Sequence, residues 1–170
     1  MGKEIFVFLG ASGTGKTSLA KPLLDKGVGE LVSHTTREMR EGETNGYDYY
    51  FTNLADFDKL DLIEEVEYSG NKYGLSTKEV DSKLEQFDKV FIIMDDEGIH
   101  QLKKLYGDIV KVIYVNVDPC VAYERMKKRG DSQEKAAKRL QYSIDHDEFD
   151  NFHLADFVIM NNNGMLEKNQ

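Results

Sequence analysis

The 170-residue chain has a single cysteine, Cys120, only two prolines, and no apolar run near the roughly 20 residues that a membrane-spanning helix needs. One thiol excludes an internal disulfide and leads us to expect a reducing, cytoplasmic setting, with Cys120 itself a small buried apolar residue rather than a nucleophile. No glycine/serine- or proline-rich tract marks a linker, and neither a repeat nor a low-complexity segment is present. One compact domain over residues 1–170 is therefore expected. Positive charge is also in short supply: 22 Lys and Arg stand against 31 Asp and Glu, a net charge of -9. Nucleic acid is thus not an expected partner, since phosphate backbones are held chiefly by clustered Lys and Arg. A small phosphorylated ligand is not excluded, because remote surface charge is screened over about 8 Å at physiological salt. The first residues, Met1-Gly2-Lys3-Glu4-Ile5-Phe6, lack the Ser or Thr of a myristoylation signal and lead straight into an apolar run, so no membrane attachment is expected.

What is present begins with Ile5-Phe6-Val7-Phe8-Leu9, followed at once by Gly10-Ala11-Ser12-Gly13-Thr14-Gly15-Lys16-Thr17 and then Ser18. Strand, glycine-rich loop and helix in that order match the phosphate-loop pattern at every fixed position. Gly10, Gly13 and Gly15 allow successive N–H groups to point into one concavity that fits a polyphosphate. The helix N-terminus and Lys16 add positive charge there, and Thr17 offers a hydroxyl to a phosphate-bound Mg²⁺.

Beyond the loop, apolar runs alternate with helical stretches, which predicts an α/β domain with a mostly parallel sheet flanked by helices. The spacing predicts a first helix over 16–26, kinked or disturbed at Pro22, and a short second strand over 31–33. Residues 35–74 break the alternation. A charged stretch, the aromatic run 47–51, helical spacing at Leu54, Phe57 and Leu60, a strand over 63–68 and turn chemistry over 70–74 suggest an inserted lobe of small strands. Ser76-Thr77-Lys78-Glu79 reads as a capping box opening a helix to about residue 87. The run 90–94 reads as a central parallel strand ending at Asp95. A helix over 97–105, a strand over 110–117, a helix opened by Asp118-Pro119, another from Ser132 toward Phe149 and a last strand over 157–160 complete the chain.

Three polar constellations bear on the acceptor. Arg37 and Arg40, beside Ser33 and Tyr49, supply guanidinium forks and hydroxyls that suit one monophosphate. Glu64 and Asp95 are carboxylates near strand ends, suited to the paired N–H donors that guanine presents and adenine does not. Arg129 and Arg139 flank Gly130-Asp131-Ser132 and can swing over the phosphates, meeting transition-state charge and excluding water.

At these residues the chain resembles the guanylate kinases over nearly its whole length. The most specific stretch runs from Ser33-His34-Thr35-Thr36-Arg37 through Arg40-Glu41-Gly42-Glu43 to Asn45-Gly46-Tyr47-Asp48-Tyr49, followed by Ser69-Gly70-Asn71-Lys72-Tyr73-Gly74. The resemblance implies a phosphate-loop core over 1–32 and 76–170, a GMP-binding lobe at about 33–75 and a helical lid at about 128–145. It implies that ATP·Mg²⁺ is held by the loop residues 10–18, with Asn161 near the adenine. Ser33, Arg37, Arg40, Tyr49 and Tyr73 would hold GMP, with Glu64 and Asp95 reading its base. Lys16, Arg37, Arg129 and Arg139 would form the catalytic set, in a monomer or homodimer.

Three departures stand out. Leu75 replaces a Ser or Thr expected to contact guanine O6, Ile93 replaces an Asp in an Asp-x-Asp pattern ending at Asp95, and the closing helix is expected to be short or absent. Beside the leading reading of ATP:GMP phosphotransfer stand two alternatives, the first prompted by Leu75 and the second by the inactive scaffold domains that also resemble guanylate kinases. One is a related kinase for another phosphorylated acceptor, such as a ribose phosphate. The other is an inactive interaction module, against which the intact Lys16 and Thr17 speak.

Overall fold

The computed structural model describes residues 2–68 and 70–162; the expected short closing helix falls outside them. Five strands form a parallel sheet: β1 (Glu4–Leu9), β2 (Gly29–Glu30), β7 (Lys89–Ile93), β8 (Val110–Asn116) and β9 (Phe157–Met160), in the order β2-β7-β1-β8-β9. A smaller mixed sheet carries β3 (His34–Thr35), β4 (Tyr50–Phe51), β5 (Leu62–Tyr68) and β6 (Asn71–Ser76) in the order β4-β3-β6-β5. The α-helices are α1 (Lys16–Ala20), α2 (Leu54–Phe57), α3 (Thr77–Gln86), α4 (Asp96–Tyr106), α5 (Pro119–Lys128) and α6 (Gln133–Asp145). The expected α/β class with an inserted β lobe is thus the observed one. No helix among the described residues is long and apolar enough to cross a membrane.

The two-residue period of the central strands explains the layers. Ile5, Val7 and Leu9 join Val90, Ile92, Val112 and Tyr114 in the larger core on one face. Phe8, Phe91 and Val115 turn to the other face and pack with Ala20 and Val28. Phe8 meets Phe91 edge-on, with centroids 6.3 Å apart and planes at 88°. Parallel strands covered on both sides need such unbroken apolar runs.

Several boundaries differ from the sequence reading, each for a local reason. The expected first helix divides after Ala20 into a 3₁₀ segment, Lys21–Lys26, with Pro22 in its first turn; Pro22 has no N–H to continue α1. The second strand lies at Gly29–Glu30 rather than 31–33. Leu31 still donates to Phe91 O at 2.9 Å, but the Val32 N–H turns to Glu79 Oε1 at 3.0 Å, which ends the ladder. Of the presumed turn at 70–74, only Gly70 turns (φ 74°); Asn71 onward forms β6, paired with β5 from Tyr68↔Asn71.

The capping box is half-formed. Ser76 Oγ accepts the Glu79 N–H at 3.2 Å. The Glu79 carboxylate does not return the contact; it accepts from Val32 N and, at 3.0 Å, from Tyr50 Oη. The last helix ends at Asp145, short of Phe149. Cys120 is exposed in the first turn of α5, not buried.

Candidate active site

The glycine-rich loop leaves the C-terminal end of β1, where open parallel sheets place ligands. Gly10, Gly13 and Gly15 take φ of 146°, 82° and 95°, a region closed to most side chains. At Gly15 space is also limiting, because a Cβ there would collide with the Asn161 amide. The loop is held from within and behind. Thr14 is fully buried, and its Oγ1 donates to Ala11 O at 2.9 Å. Buried Asn161, just past β9, donates from Nδ2 to Thr14 O at 2.7 Å.

Lys16 Nζ folds over the loop and donates to Ala11 O at 2.8 Å and to Gly10 O. Burial, aided by Arg139 and Arg129, lowers its pKa to about 8, and the Glu148 carboxylate opposes the shift. An arriving phosphate would restore the ammonium's ordinary preference for charge.

A basic cavity opens over this loop, lined by Ser12, Gly13, Gly15, Lys16, Thr17, Ser18, Arg125, Arg129 and Arg139. Arg139 is aimed by two contacts, to Asp131 Oδ2 at 2.9 Å and to Ser12 Oγ at 3.2 Å. Asp131 also draws in Lys135 at 3.1 Å and Arg129 at 3.7 Å. Arg125 is a residue that sequence reasoning missed. It reaches Thr14 O at 3.2 Å and Asn161 O at 2.7 Å. Its signal was the four-residue spacing to Arg129, one helical turn.

A second cavity, about 590 Å³, lies under the small sheet and is lined by Arg37, Arg40, Glu43, Tyr49, Glu64, Val66, Tyr68, Tyr73, Ile93, Met94 and Asp95. That size accommodates a nucleotide-sized ligand. Arg37 forms a two-pronged pair with Glu43, at 3.0 and 2.7 Å. Its guanidinium lies 5.6 Å from the Tyr49 ring centroid and 5.4 Å from that of Phe51. Tyr49 and Tyr73 meet edge-on at 5.7 Å, and burial raises the Tyr49 pKa, keeping the phenol a neutral donor.

Glu64 is driven up to about 7 by burial first, then by the neighbouring Asp95 and Glu97 charges. Asp95 caps α4, with Oδ1 accepting the Gly98 N–H at 3.2 Å. Ser33 stands outside this lining, its carbonyl engaged by the Tyr50 N–H at 2.9 Å. Leu75 is fully buried in the larger core.

A third cleft shares lining residues with both cavities. It is lined by Gly10, Ser12 and Lys16 from the loop and by Ile93, Met94 and Asp95 from the acceptor side, with Asp96, Glu148 and Asn151 alongside. Glu148, also missed in the sequence, accepts from Ser143 Oγ at 2.6 Å; as one acid in a charged stretch it carried no distinguishing signal.

A phosphate loop set beside an arginine- and tyrosine-lined cavity of nucleotide size is the arrangement expected of the nucleoside monophosphate kinases. Comparison with known proteins narrows this. The family described as Guanylate kinase matches residues 2–168. A guanylate kinase of Psychrobacter arcticus is 34% identical over 168 residues, covering 94% of this chain and 79% of the relative. One from Francisella tularensis subsp. holarctica is 36% identical over 166 residues, covering 88% and 87% respectively. The crystal structure of guanylate kinase from Anaplasma phagocytophilum superposes with a TM-score of 0.62 at 25% identity, over 94% of this chain and 77% of that one. The chain belongs to the guanylate kinase family.

Proposed function

We propose that this chain carries out the guanylate kinase reaction, transfer of the γ-phosphoryl of ATP to GMP, with residues 33–75 as the acceptor lobe and 128–145 as the lid. The single observation that carries the reading is a cleft lined by both Lys16 and Asp95, which sets the phosphate loop beside the proposed acceptor residues. Phosphoryl transfer asks the protein mainly for in-line positioning and countercharge. The loop N–H groups and Lys16 hold the donor's phosphates. Arg37, Arg40, Tyr49 and Tyr73 hold the acceptor phosphate, and the Glu64 and Asp95 carboxylates accept guanine's N–H donors. Arg129, Arg139 and Arg125 meet the charge that spreads over the moving group.

Thr17 is exposed and opens onto the basic cavity, so its hydroxyl fits a Mg²⁺ carried in by the nucleotide. When bound, the ion would neutralise phosphate charge. Buried Asn161 and Thr14 act by shaping the loop, and Ser33 by holding β4. The intact lysine and loop geometry speak against an inactive module, and the family match favours GMP over a ribose phosphate.

An ADP-release assay over GMP, dGMP, AMP, UMP, CMP and ribose phosphates tests the reading. Turnover with GMP far above the rest is expected, and ATP use with GMP inert would overturn it. Arg37→Ala should lower kcat/KM for GMP by about tenfold or more, the loss of one charge-assisted hydrogen bond. An unchanged value would remove Arg37 from the site.

A further inference from the structure

Gly98 sits in the first turn of α4, an eleven-residue helix, and is buried. Glycine is among the poorest helix formers, and no positive φ requires it here. The reason lies in space. A Cβ on Gly98 would stand 2.8 Å from Glu64 Oε2 and 2.9 Å from Met94 Cε, closer than real Cβ atoms come, and a tight 3.1 Å from Glu64 Cδ, so the ends of both side chains would have to move aside. The Gly98 N–H meanwhile donates to Asp95 Oδ1 at 3.2 Å. One residue thus adjoins both carboxylates: Glu64 fills the space that a side chain at 98 would need, and Asp95 accepts the Gly98 amide. The two acids come from different elements, β5 and the β7–α4 junction, and their like charges repel. Glu97, next to Gly98, adds to that repulsion. Something must hold them at a working distance.

We propose that Gly98 is a positioning residue that sets the spacing of the Glu64 and Asp95 carboxylates and, through it, recognition of the acceptor's base. The proposal rests on the reading of those two acids as base-binding. In Gly98→Ala the methyl group pushes the Glu64 carboxylate out of its place while the amide still caps α4. The expected result is a KM for GMP raised about tenfold, as when one charge-assisted hydrogen bond to the base is broken, with KM for ATP within about twofold. Shortening the acid in Gly98→Ala/Glu64→Asp withdraws the carboxylate from the methyl group and restores part of the affinity.

Melting temperature supplies an independent readout. Removing the side chain in Gly98→Ala/Glu64→Ala should offset the part of the Gly98→Ala destabilisation that comes from Glu64, leaving the part that comes from Met94. Additive melting shifts, or KM values for ATP and GMP rising together, would overturn the proposal. Should Gly98→Ala fail to fold, recovery of folding by Glu64→Ala supports it, and failure to recover even when Met94→Leu also removes the Met94 Cε contact overturns it. If Glu64→Ala alone leaves KM for GMP unchanged, the base-binding reading fails, while melting coupling between positions 64 and 98 would still stand.

Discussion

At the scale of single residues, the acceptor cavity is governed by how ionisable groups are buried. Glu64 has a pKa of about 7, raised mainly by burial and further by Asp95 and Glu97. Only its ionised form accepts two N–H donors, so in the proposed role of Glu64 guanine recognition should weaken as pH falls. Between pH 8 and pH 6 the ionised fraction drops about tenfold, and KM for GMP should rise by about that factor, while Lys16, titrating near 8, changes KM for ATP by no more than about twofold. Glu64→Gln should flatten the profile, leaving the dependence from the phosphate's own second ionisation near 6. The same shift has a stability consequence of definite sign. A carboxyl whose folded pKa lies above its unfolded value stabilises the fold at low pH, and that contribution is lost as pH rises through about 7. Without nucleotide, the melting temperature of the parent chain should fall relative to Glu64→Gln over the interval from about 4.5 to 7. A KM for GMP independent of pH would sink this account.

Among the elements, the α5–α6 connection depends on one acid. Asp131 lies within 2.9 Å of Arg139, 3.1 Å of Lys135 and 3.7 Å of Arg129, and its hydrogen bond from Lys135 leads the interactions that hold its pKa below the usual range. With Ser12 on its other arm, Arg139 is aimed over the loop before any nucleotide arrives. Preorganised countercharge of this kind acts on the transition state more than on the ground state. Asp131→Ala should therefore lower kcat about tenfold with a smaller effect on KM for ATP. Steady-state kinetics at saturating GMP measures the split, and an unchanged kcat would show that Arg139 needs no help from Asp131. Ser132 shows the same economy of local structure, since its side chain caps α6 by accepting the Lys135 N–H at 3.2 Å.

Across the whole molecule, the central sheet supports both cavities, because the glycine-rich loop, Asp95 and Asn161 all follow C-terminal strand ends. Loss of core packing should thus act on stability first. Phe91 is fully buried and lies edge-on to Phe8. Phe91→Ala should cost roughly 3–5 kcal/mol, a large share of the 5–15 kcal/mol typical of a domain. Urea unfolding followed by far-UV dichroism measures it, and a loss below about 1 kcal/mol would place the phenyl outside the core. Saturating GMP without ATP should partly restore the melting temperature, as any ligand that binds the folded chain alone does.

Much was legible in the residues themselves. The phosphate loop could be read because its function fixes residue types at short, local spacing: glycines for backbone freedom, a lysine for charge, a hydroxyl after it. The strands of the large sheet were equally plain, since burial on both faces demands continuous apolar runs such as Val90-Phe91-Ile92-Ile93. Arg37, Arg40 and Tyr49 were readable as one cluster for the same local reason: a short segment carries them, and all three line the second cavity.

What only the tertiary structure decided are relations between distant segments. Cys120 has the composition of a core residue, yet the face of α5 that packs inward leaves it exposed. Gly70 to Gly74 has turn chemistry, yet pairing with β5 makes most of it a strand. Glu79 looks like a capping acid, yet the approach of Val32 and Tyr50 gives its carboxylate better partners. Arg125 and Glu148 enter the site only because α5 and the segment after α6 fold back over the loop. Local spacing determines which chemistry a segment can offer; packing determines which offers meet, because hydrogen bonds and burial are settled by whichever partner arrives from elsewhere in the chain.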